Sequence, residues 1–223
     1  LVLFRHLDFF EPLNKAGWIG VDLFFVLSGY LVSSLLFNEY VKSGNVKPIR
    51  FLIRRGFKIY PLFYLAIILT VFIESFGSSE ILTTYNATSE LFFVQNYFGQ
   101  LWNHTWSLAV EEHFYIGLAL FLYLVIYFKQ IENKKIMVIL FVSILILCLA
   151  LRLENTKIVY SHSTHLVPTH IRMDSLIFGV LLSYLHIFNK INFEKFINKY
   201  SPKLFFCGLL LVSTAFYFHL RST

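Results

Sequence analysis

Long apolar runs separated by short polar connections dominate the order of residues along this chain. Runs with few or no charges cover residues 17–37, 57–74, 106–128, 136–151, 171–188 and 204–219, and residues 1–6 have the character of the end of another run. A helix needs about 20 apolar residues to cross a hydrocarbon core of about 30 Å. The pattern predicts an all-α fold, a polytopic transmembrane helix bundle with about seven spans, of which the first is incomplete.

The composition agrees with an integral, multi-pass membrane protein. Hydrophobic residues make up 57% of the chain and charged residues 14%, and the mean hydropathy is +0.65. These values lie far from those of soluble domains. The formal net charge of +6 could indicate nucleic-acid binding. However, the Lys and Arg residues lie mostly between the spans, where they orient a membrane protein, so no nucleic-acid partner is expected.

The distribution of basic residues predicts the orientation of the bundle. Of the 19 Lys and Arg residues, 13 lie in the second-to-third, fourth-to-fifth and sixth-to-seventh connections. By the positive-inside rule, these three connections are cytoplasmic. The connection at 74–104 and the loop at 162–170 then lie at the opposite face.

Two adjacent carboxylates, Glu111 and Glu112, fall inside the fourth apolar run, in the stretch HTWSLAVEEHFY. An acidic residue near the centre of a span costs about 2.5–3.5 kcal/mol, so the pair needs partners, water or a chemical task. Ser107, Glu111 and Tyr115 are spaced at i, i+4 and i+8, which places a hydroxyl, a carboxylate and a phenol along one helical face. The pair either fastens one helix to another or belongs to a polar site within the membrane.

His6 is the candidate general base, because an imidazole can take a proton from an acceptor hydroxyl near neutral pH. A nearby carboxylate would orient its ring and stabilise the imidazolium. Asp8, Asp22, Glu111 and Glu112 are the candidates for that partner, and the sequence does not choose among them.

Three more histidines, at positions 162, 165 and 170, cluster in the loop before the sixth span. A metal site requires further carboxylate or thiolate ligands at suitable spacing, and none accompanies them. We interpret them as interfacial residues or as part of a loop near the active centre, and we predict no metal.

The second apolar run contains one charge, Asp22, and several small residues. Asp22 and Gly29 lie two turns apart on one face, and the small residues allow another helix to approach closely. Arg172 and Asp174, at the start of the sixth span, either pair with each other or face an aqueous cavity.

Arg54, Arg55 and Lys58 lie at helical spacings on the cytoplasmic edge of the third span. Arg side chains can hold phosphate groups with two parallel hydrogen bonds, so a phosphorylated cytosolic donor is one interpretation. The other is topology determination together with attraction to anionic lipid head groups.

Five segments together resemble the acyltransferase 3 family of multi-spanning membrane O-acyltransferases. They are VLFRH at 2–6, GWIGVDLFFVLSGYLVSSLL at 17–36, FLIRRGFKIYPLFY at 51–64, WSLAVEEHFYIGLALFL at 106–122 and IRMDSLIFGVLLSYL at 171–185. Their order and separation are specific to the family. The resemblance implies that residues 1–223 are part of a domain of about ten helices.

The resemblance also implies a reaction: transfer of an acyl group, commonly acetyl, from acyl-CoA to a hydroxyl of a sugar or glycan. His6 matches the family's first-span histidine, while the family's Arg, separated from that histidine by ten residues, would precede Leu1. The family's cytoplasmic motif of two Arg residues falls on Arg55 and Lys58, and Lys58 lacks the guanidinium fork. The fourth-span signature falls on Glu111, Glu112 and Tyr115, with His113 where Gln is common.

The resulting expectation is a bacterial cytoplasmic-membrane enzyme with acyl-CoA, chiefly acetyl-CoA, as co-substrate and no permanently bound cofactor. CoA would dock near Arg54, Arg55 and Lys58, with His6, Glu111 and Glu112 as catalytic residues. The possible supporting residues are Asp22, Ser107, Tyr115, Arg172 and Asp174. A proton-coupled transporter or a lipid or glycan flippase is the competing class, because buried carboxylates and a histidine also suit a carrier. A degenerate, non-catalytic domain is the third interpretation.

Overall fold

The computed structural model describes residues 17–76 and 83–221, and side chains are considered for 20–76 and 83–214. In these residues the chain forms eight helices and no strand, which confirms the all-α prediction. They are α1 (Gly17–Ser43), α2 (Pro48–Glu74), α3 (Thr84–Leu91), α4 (Trp106–Tyr127), α5 (Lys134–Asn155), α6 (His162–His165), α7 (Thr169–Phe188) and α8 (Lys190–Arg221).

Five stretches of the described chain are long and apolar enough to cross a membrane. They are Gly20–Ser43, Pro48–Glu74, Trp106–Tyr127, Lys134–Asn155 and His162–Phe188. These stretches correspond to the second to sixth predicted spans. The first predicted span, at residues 1–6, lies outside the described residues.

Helix α2 begins well before the predicted start of the third span. Pro48 occupies its first turn, where the missing N–H costs nothing and the fixed φ favours a helix. Pro61 lies inside the helix without ending it. The basic residues predicted at the span's edge therefore lie on the same continuous helix as its apolar part.

The sixth-to-seventh connection is also helical, and it joins the seventh predicted span to form α8, which continues through Pro202. In the connection, Phe193, Ile197 and Tyr200 recur at i, i+4 and i+7 and are half-buried along one face. This helical period explains why the predicted connection became part of a helix. Within the described residues, α8 is not one of the five stretches that satisfy the criteria for a span.

Helices α1 and α7 pack backbone to backbone, and two glycines permit it. A Cβ on Gly29 would lie 2.1 Å from the carbonyl oxygen of Leu176, and a Cβ on Gly179 would lie 2.1 Å from that of Val26. Ser34 and Ser183 join their hydroxyls across the same interface at 2.8 Å. The predicted role of small residues in close helix packing is confirmed.

Helix α4 is the most buried of the five membrane-spanning stretches. Its buried residues face α1, α2 and α7, and Phe25 of α1 packs edge-on against Trp106 with ring centroids 6.0 Å apart. The two carboxylates of α4 are therefore enclosed by other helices.

We expect Gly179→Ala to destabilise the fold by about 1–3 kcal/mol, because overpacking against rigid backbone cannot be relieved by a side-chain movement. A Cβ at this position would also lie 2.7 Å from the amide nitrogen of Tyr30. The measurement is the apparent melting temperature of the protein in detergent. Gly208→Ala is the matched control, since a Cβ there meets nothing within 4 Å. Equal melting temperatures for the two variants would contradict the packing described here.

Candidate active site

The phenol of Tyr115, at the centre of the bundle, joins three other polar side chains. Its Oη donates to Glu111 Oε2 at 2.8 Å and accepts a hydrogen bond from Arg55 Nη2. Since the single phenolic hydrogen is used for Glu111, Ser28 Oγ, at 3.1 Å, is a donor to the same oxygen. Helices α1, α2 and α4 thus meet at one hydroxyl group.

Arg55 reaches this cluster from α2 and also covers the aromatic ring. Its guanidinium carbon lies 4.4 Å from the ring centroid of Tyr115, a cation–π distance. Arg54 and Lys58 are exposed on a different face of the same helix. The structure therefore divides the three residues predicted to bind CoA: one points into the bundle and two remain at the surface.

Glu112 points away from Tyr115 and towards α2. Its Oε2 accepts a hydrogen bond from Tyr60 Oη at 3.0 Å. Both carboxylates of α4 are buried, with Glu111 6% and Glu112 4% exposed. Each therefore has a phenol on one oxygen, but the two phenols come from different helices.

Three atoms of this cluster are buried without a hydrogen-bond partner among the described residues. They are Glu111 Oε1, Glu112 Oε1 and the Nε of Arg55. Buried polar atoms are normally paired, and unpaired ones are costly. A donor and two acceptors thus remain available for a further group.

Asp22 and Arg172, two of the predicted supporting residues, bind each other across α1 and α7. Arg172 Nη1 lies 3.1 Å from Asp22 Oδ1, and Ser175 Oγ donates to the same oxygen at 3.2 Å. Asp174 pairs instead with Arg152 of α5 at 2.8 Å. The interpretation that Arg172 and Asp174 pair with each other is wrong, because residues two apart on a helix point to different sides.

The remaining predicted site residues do not join the Tyr115 cluster through the described contacts. Ser107 Oγ donates to the carbonyl oxygen of His104, which precedes α4, at 3.2 Å. Ser28 of α1 supplies the hydroxyl beside Tyr115 instead. His6 and Asp8 lie outside the described residues.

The connection between α2 and α4 contains a buried acid, Glu90, that is 0% exposed. Its Oε1 accepts hydrogen bonds from Thr105 Oγ1 at 2.7 Å and from the amide of Leu101 at 3.1 Å. Burial raises the pKa of Glu90, while these hydrogen bonds act in the opposite direction. Glu90 therefore fastens the connection to the start of α4.

A second polar contact joins this connection to α4 and α7. His113 Nδ1 lies 2.7 Å from Thr169 Oγ1, and the side-chain amide of Asn96 donates to the same oxygen at 2.7 Å. His113 is thus bound by neighbouring elements, on the side of α4 away from Tyr115.

The loop histidines are engaged with their surroundings. His170 binds the hydroxyl of Tyr97 at 3.0 Å, and His165 binds the carbonyl oxygen of Asn155 at 2.8 Å. Across residues 17–76 and 83–221, no three His, Cys, Asp or Glu residues are grouped so that they could hold a metal.

Ser28 and Tyr60 are the site residues that sequence reasoning missed. A neutral hydroxyl in an apolar run is not unusual, so neither residue stands out as the carboxylates do. Spacing along the chain did not point to Tyr60 either, because it lies five residues after Arg55 and side chains meet on a helix at separations of three or four.

A helix bundle that encloses carboxylates, phenols and a guanidinium within its spans is the architecture of a polytopic membrane protein with an intramembrane polar site. The sequence profile of a family described as an acyltransferase domain matches residues 4–222. The chain belongs to this acyltransferase 3 family, and the predicted resemblance is confirmed.

Several curated proteins are similar to the chain. The peptidoglycan O-acetyltransferase OatA of Listeria monocytogenes is 27% identical over 95% of this chain and 40% of its own length. A putative O-acetyltransferase of Staphylococcus aureus strain COL is 32% identical over 78% of the chain and 32% of its own length. The O-acetyltransferase OatA of Staphylococcus aureus is 30% identical over 77% of the chain and 30% of its own length. The chain thus spans less than half the length of these relatives, and no solved structure matches it.

The raised pKa of Glu90 predicts a pH-dependent loss of stability. Because the folded state holds the proton more tightly than the unfolded state, the free energy of unfolding falls as pH rises from the ordinary carboxyl value of about 4.3 through the folded pKa. Glu90→Gln keeps an acceptor for Thr105 and Leu101 without a charge. The melting temperature of this variant relative to wild type should therefore rise as the pH is raised above the ordinary carboxyl value of about 4.3.

The matched control for this measurement is Glu132→Gln, which changes an exposed carboxylate. We expect it to give no comparable rise. A Glu90→Gln variant whose difference from wild type stays constant with pH would contradict the raised pKa.

Proposed function

We propose that the protein is a membrane-bound O-acyltransferase that transfers an acyl group, chiefly acetyl, from acyl-CoA to a hydroxyl of a cell-envelope glycan. The observation that carries the proposal is the enclosed cluster of Arg55, Tyr115, Glu111 and Glu112, in which each acid has one buried carboxylate oxygen without a hydrogen-bond partner among the described residues. Membership of the acyltransferase family supports the reaction class. The names of the bacterial relatives support acetyl as the acyl group.

The donor would approach from the cytoplasmic face. Arg54 and Lys58 are exposed one turn apart on α2, where they can meet the phosphates of acetyl-CoA. Arg55 points inward from the same turn and is already engaged with Tyr115. In this proposal, Arg54 and Lys58 contact the phosphates, and Arg55 belongs to the chemical centre.

The reaction needs one proton to move. The acceptor oxygen attacks the thioester carbonyl carbon, the new C–O bond forms, and the C–S bond breaks. His6 takes the proton of the hydroxyl and returns it to the CoA sulfur, which leaves as the thiol. Glu111 or Glu112 stabilises the imidazolium, and the enclosed bundle contributes orientation and the exclusion of water.

The acceptor is proposed from the relatives. One of them is named a peptidoglycan O-acetyltransferase, and others are named O-acetyltransferases. A hydroxyl of peptidoglycan or another cell-wall glycan is therefore the proposed acceptor, with the enzyme in the bacterial cytoplasmic membrane.

The test uses the full-length protein that carries this chain, in membranes supplied with labelled acetyl-CoA and isolated cell-wall glycan. Ester-bound label is measured as acetate released by mild base. We expect His6→Ala to lower transfer by at least about 100-fold, the usual minimum contribution of general base catalysis. The matched control is His170→Ala, which removes an exposed histidine at the start of α7 and should retain transfer.

Wild-type transfer rates in the His6→Ala variant would overturn the assignment of the base. A correctly inserted wild-type protein that transfers no label would argue against acyl-CoA as the donor. Proton-driven flux through the purified protein in vesicles would then favour the carrier class.

A further inference from the structure

We propose that the two adjacent carboxylates have different tasks. Glu111 is the fixed counter-charge of Arg55, and Glu112, positioned by Tyr60, is the carboxylate that stabilises the imidazolium formed during acyl transfer. This assignment rests on the proposed function for Glu112 but not for Glu111, and it settles a choice that the spacing of the residues leaves open.

The contacts of Glu111 fix the position of its carboxylate and place it close to a cation. Its Oε2 is bound by Tyr115 at 2.8 Å, and the guanidinium of Arg55 contacts the same phenol and covers its ring. The guanidinium of Arg55 is half-buried, and a positive charge that is partly removed from water needs an anion close by. Tyr115 connects the two charges, with Ser28 as a third contact. The role of Glu111 is therefore structural: it compensates the charge of Arg55.

Within residues 20–76 and 83–214, Glu112 has no comparable partner. One neutral phenol, Tyr60, donates to its Oε2 at 3.0 Å, and its Oε1 is buried without a partner in the described part of the chain. A phenol orients a carboxylate without cancelling its charge. Glu112 can therefore still take up a proton or a hydrogen bond from a cation.

A count of charges leads to the same division. Arg55 acts electrostatically on both Glu111 and Glu112, so one cation faces two carboxyl groups. Like charges this close disfavour each other in a medium of low dielectric constant. The cluster therefore has room for one more positive charge, either a proton or an imidazolium. Glu112 is where that charge is accommodated, because Arg55 is already connected to Glu111.

The position of Tyr60 depends on two features outside the cluster. Gly56, one turn earlier on α2, leaves room for its ring, since a Cβ there would lie 2.8 Å from Tyr60 Cε2. Phe93, in the connection before α4, packs against the same ring with centroids 5.3 Å apart. Phe93 has a φ of 56°, which is uncommon for a residue with a side chain. Tyr60 is therefore a positioning residue, set by α2 and by the connection together.

The experiment combines stability and activity in the full-length protein. Two double-mutant cycles use the apparent melting temperature: Arg55→Gln with Glu111→Gln, and Arg55→Gln with Glu112→Gln. We expect the single Arg55→Gln and Glu111→Gln changes to lower the melting temperature by several degrees each. The first double variant should lose clearly less than the sum of its two single changes, and the second double variant should depart from additivity by a clearly smaller amount.

The activity measurements use the acetyl transfer assay described above. Glu112→Gln should keep the wild-type melting temperature and lose transfer by at least about 100-fold. Tyr60→Phe should lower kcat by about 10-fold at unchanged KM for acetyl-CoA and shift the pH–rate profile, which a purely structural residue would not do. Glu112→Asp should restore part of the rate lost in Glu112→Gln.

Tyr64→Phe is the matched control for Tyr60→Phe. It removes a hydroxyl one turn further along α2, and that hydroxyl donates to the carbonyl oxygen of Leu91 rather than to a carboxylate. We expect an unchanged rate and pH profile. A shift equal to that of Tyr60→Phe would overturn the positioning role.

Equal coupling of Arg55 to both carboxylates, or wild-type transfer by Glu112→Gln, would overturn the division of tasks. If the wild-type protein transfers no acetyl group, the proposed function fails instead. The melting-temperature cycles still test the pairing of Arg55 with Glu111 in that case.

Discussion

The structure depends on how it compensates the half-buried guanidinium of Arg55. Arg55 points from α2 towards the other helices of the bundle, and an uncompensated charge in such surroundings costs several kcal/mol. The phenol of Tyr115 and the carboxylate of Glu111 provide the compensation, and both belong to α4. The register between α2 and α4 is therefore fixed by charge. The same register brings Tyr60, which follows Arg55 on α2, within hydrogen-bond distance of Glu112 on α4.

The close contact between α1 and α7 supports this arrangement from the other side. Gly29 allows the backbone of α1 to lie against α7, and Ser28, its neighbour in sequence, then faces Tyr115. The ion pair of Asp22 with Arg172 joins the same two helices towards one end. A hydroxyl, a guanidinium and a carboxylate from three helices can therefore meet at one phenol because a fourth helix holds α1 in place.

The sequence predicted most of this fold and part of the site, for physical reasons that differ between residues. Apolar runs identify spans because crossing a bilayer constrains every residue in them. Glu111 and Glu112 stand out because a charge in such a run is costly, and Tyr115 follows from its spacing. Tyr60 and Ser28 did not stand out, because a neutral hydroxyl in a span is ordinary and its partner lies on another helix. The partner of Arg172 was missed for the same reason: pairing across helices depends on packing that spacing along one helix does not contain.

The position of Arg55 shows that the three neighbouring basic residues of α2 do not have one common role. Arg54 and Lys58 lie on the exposed face of α2, and Arg55, about 100° away around the helix, lies inside the bundle. Residues of the same helical turn thus lie in two environments: Arg54 and Lys58 at the surface, and Arg55 in the enclosed polar cluster. For the proposed reaction, phosphates can bind to the surface pair without drawing Arg55 away from Tyr115. A Lys at position 55 would be a poor substitute, because its ammonium lacks the planar guanidinium that both covers the ring and donates to its hydroxyl. The binding of the donor and the compensation of the carboxylates are therefore separate tasks of neighbouring residues.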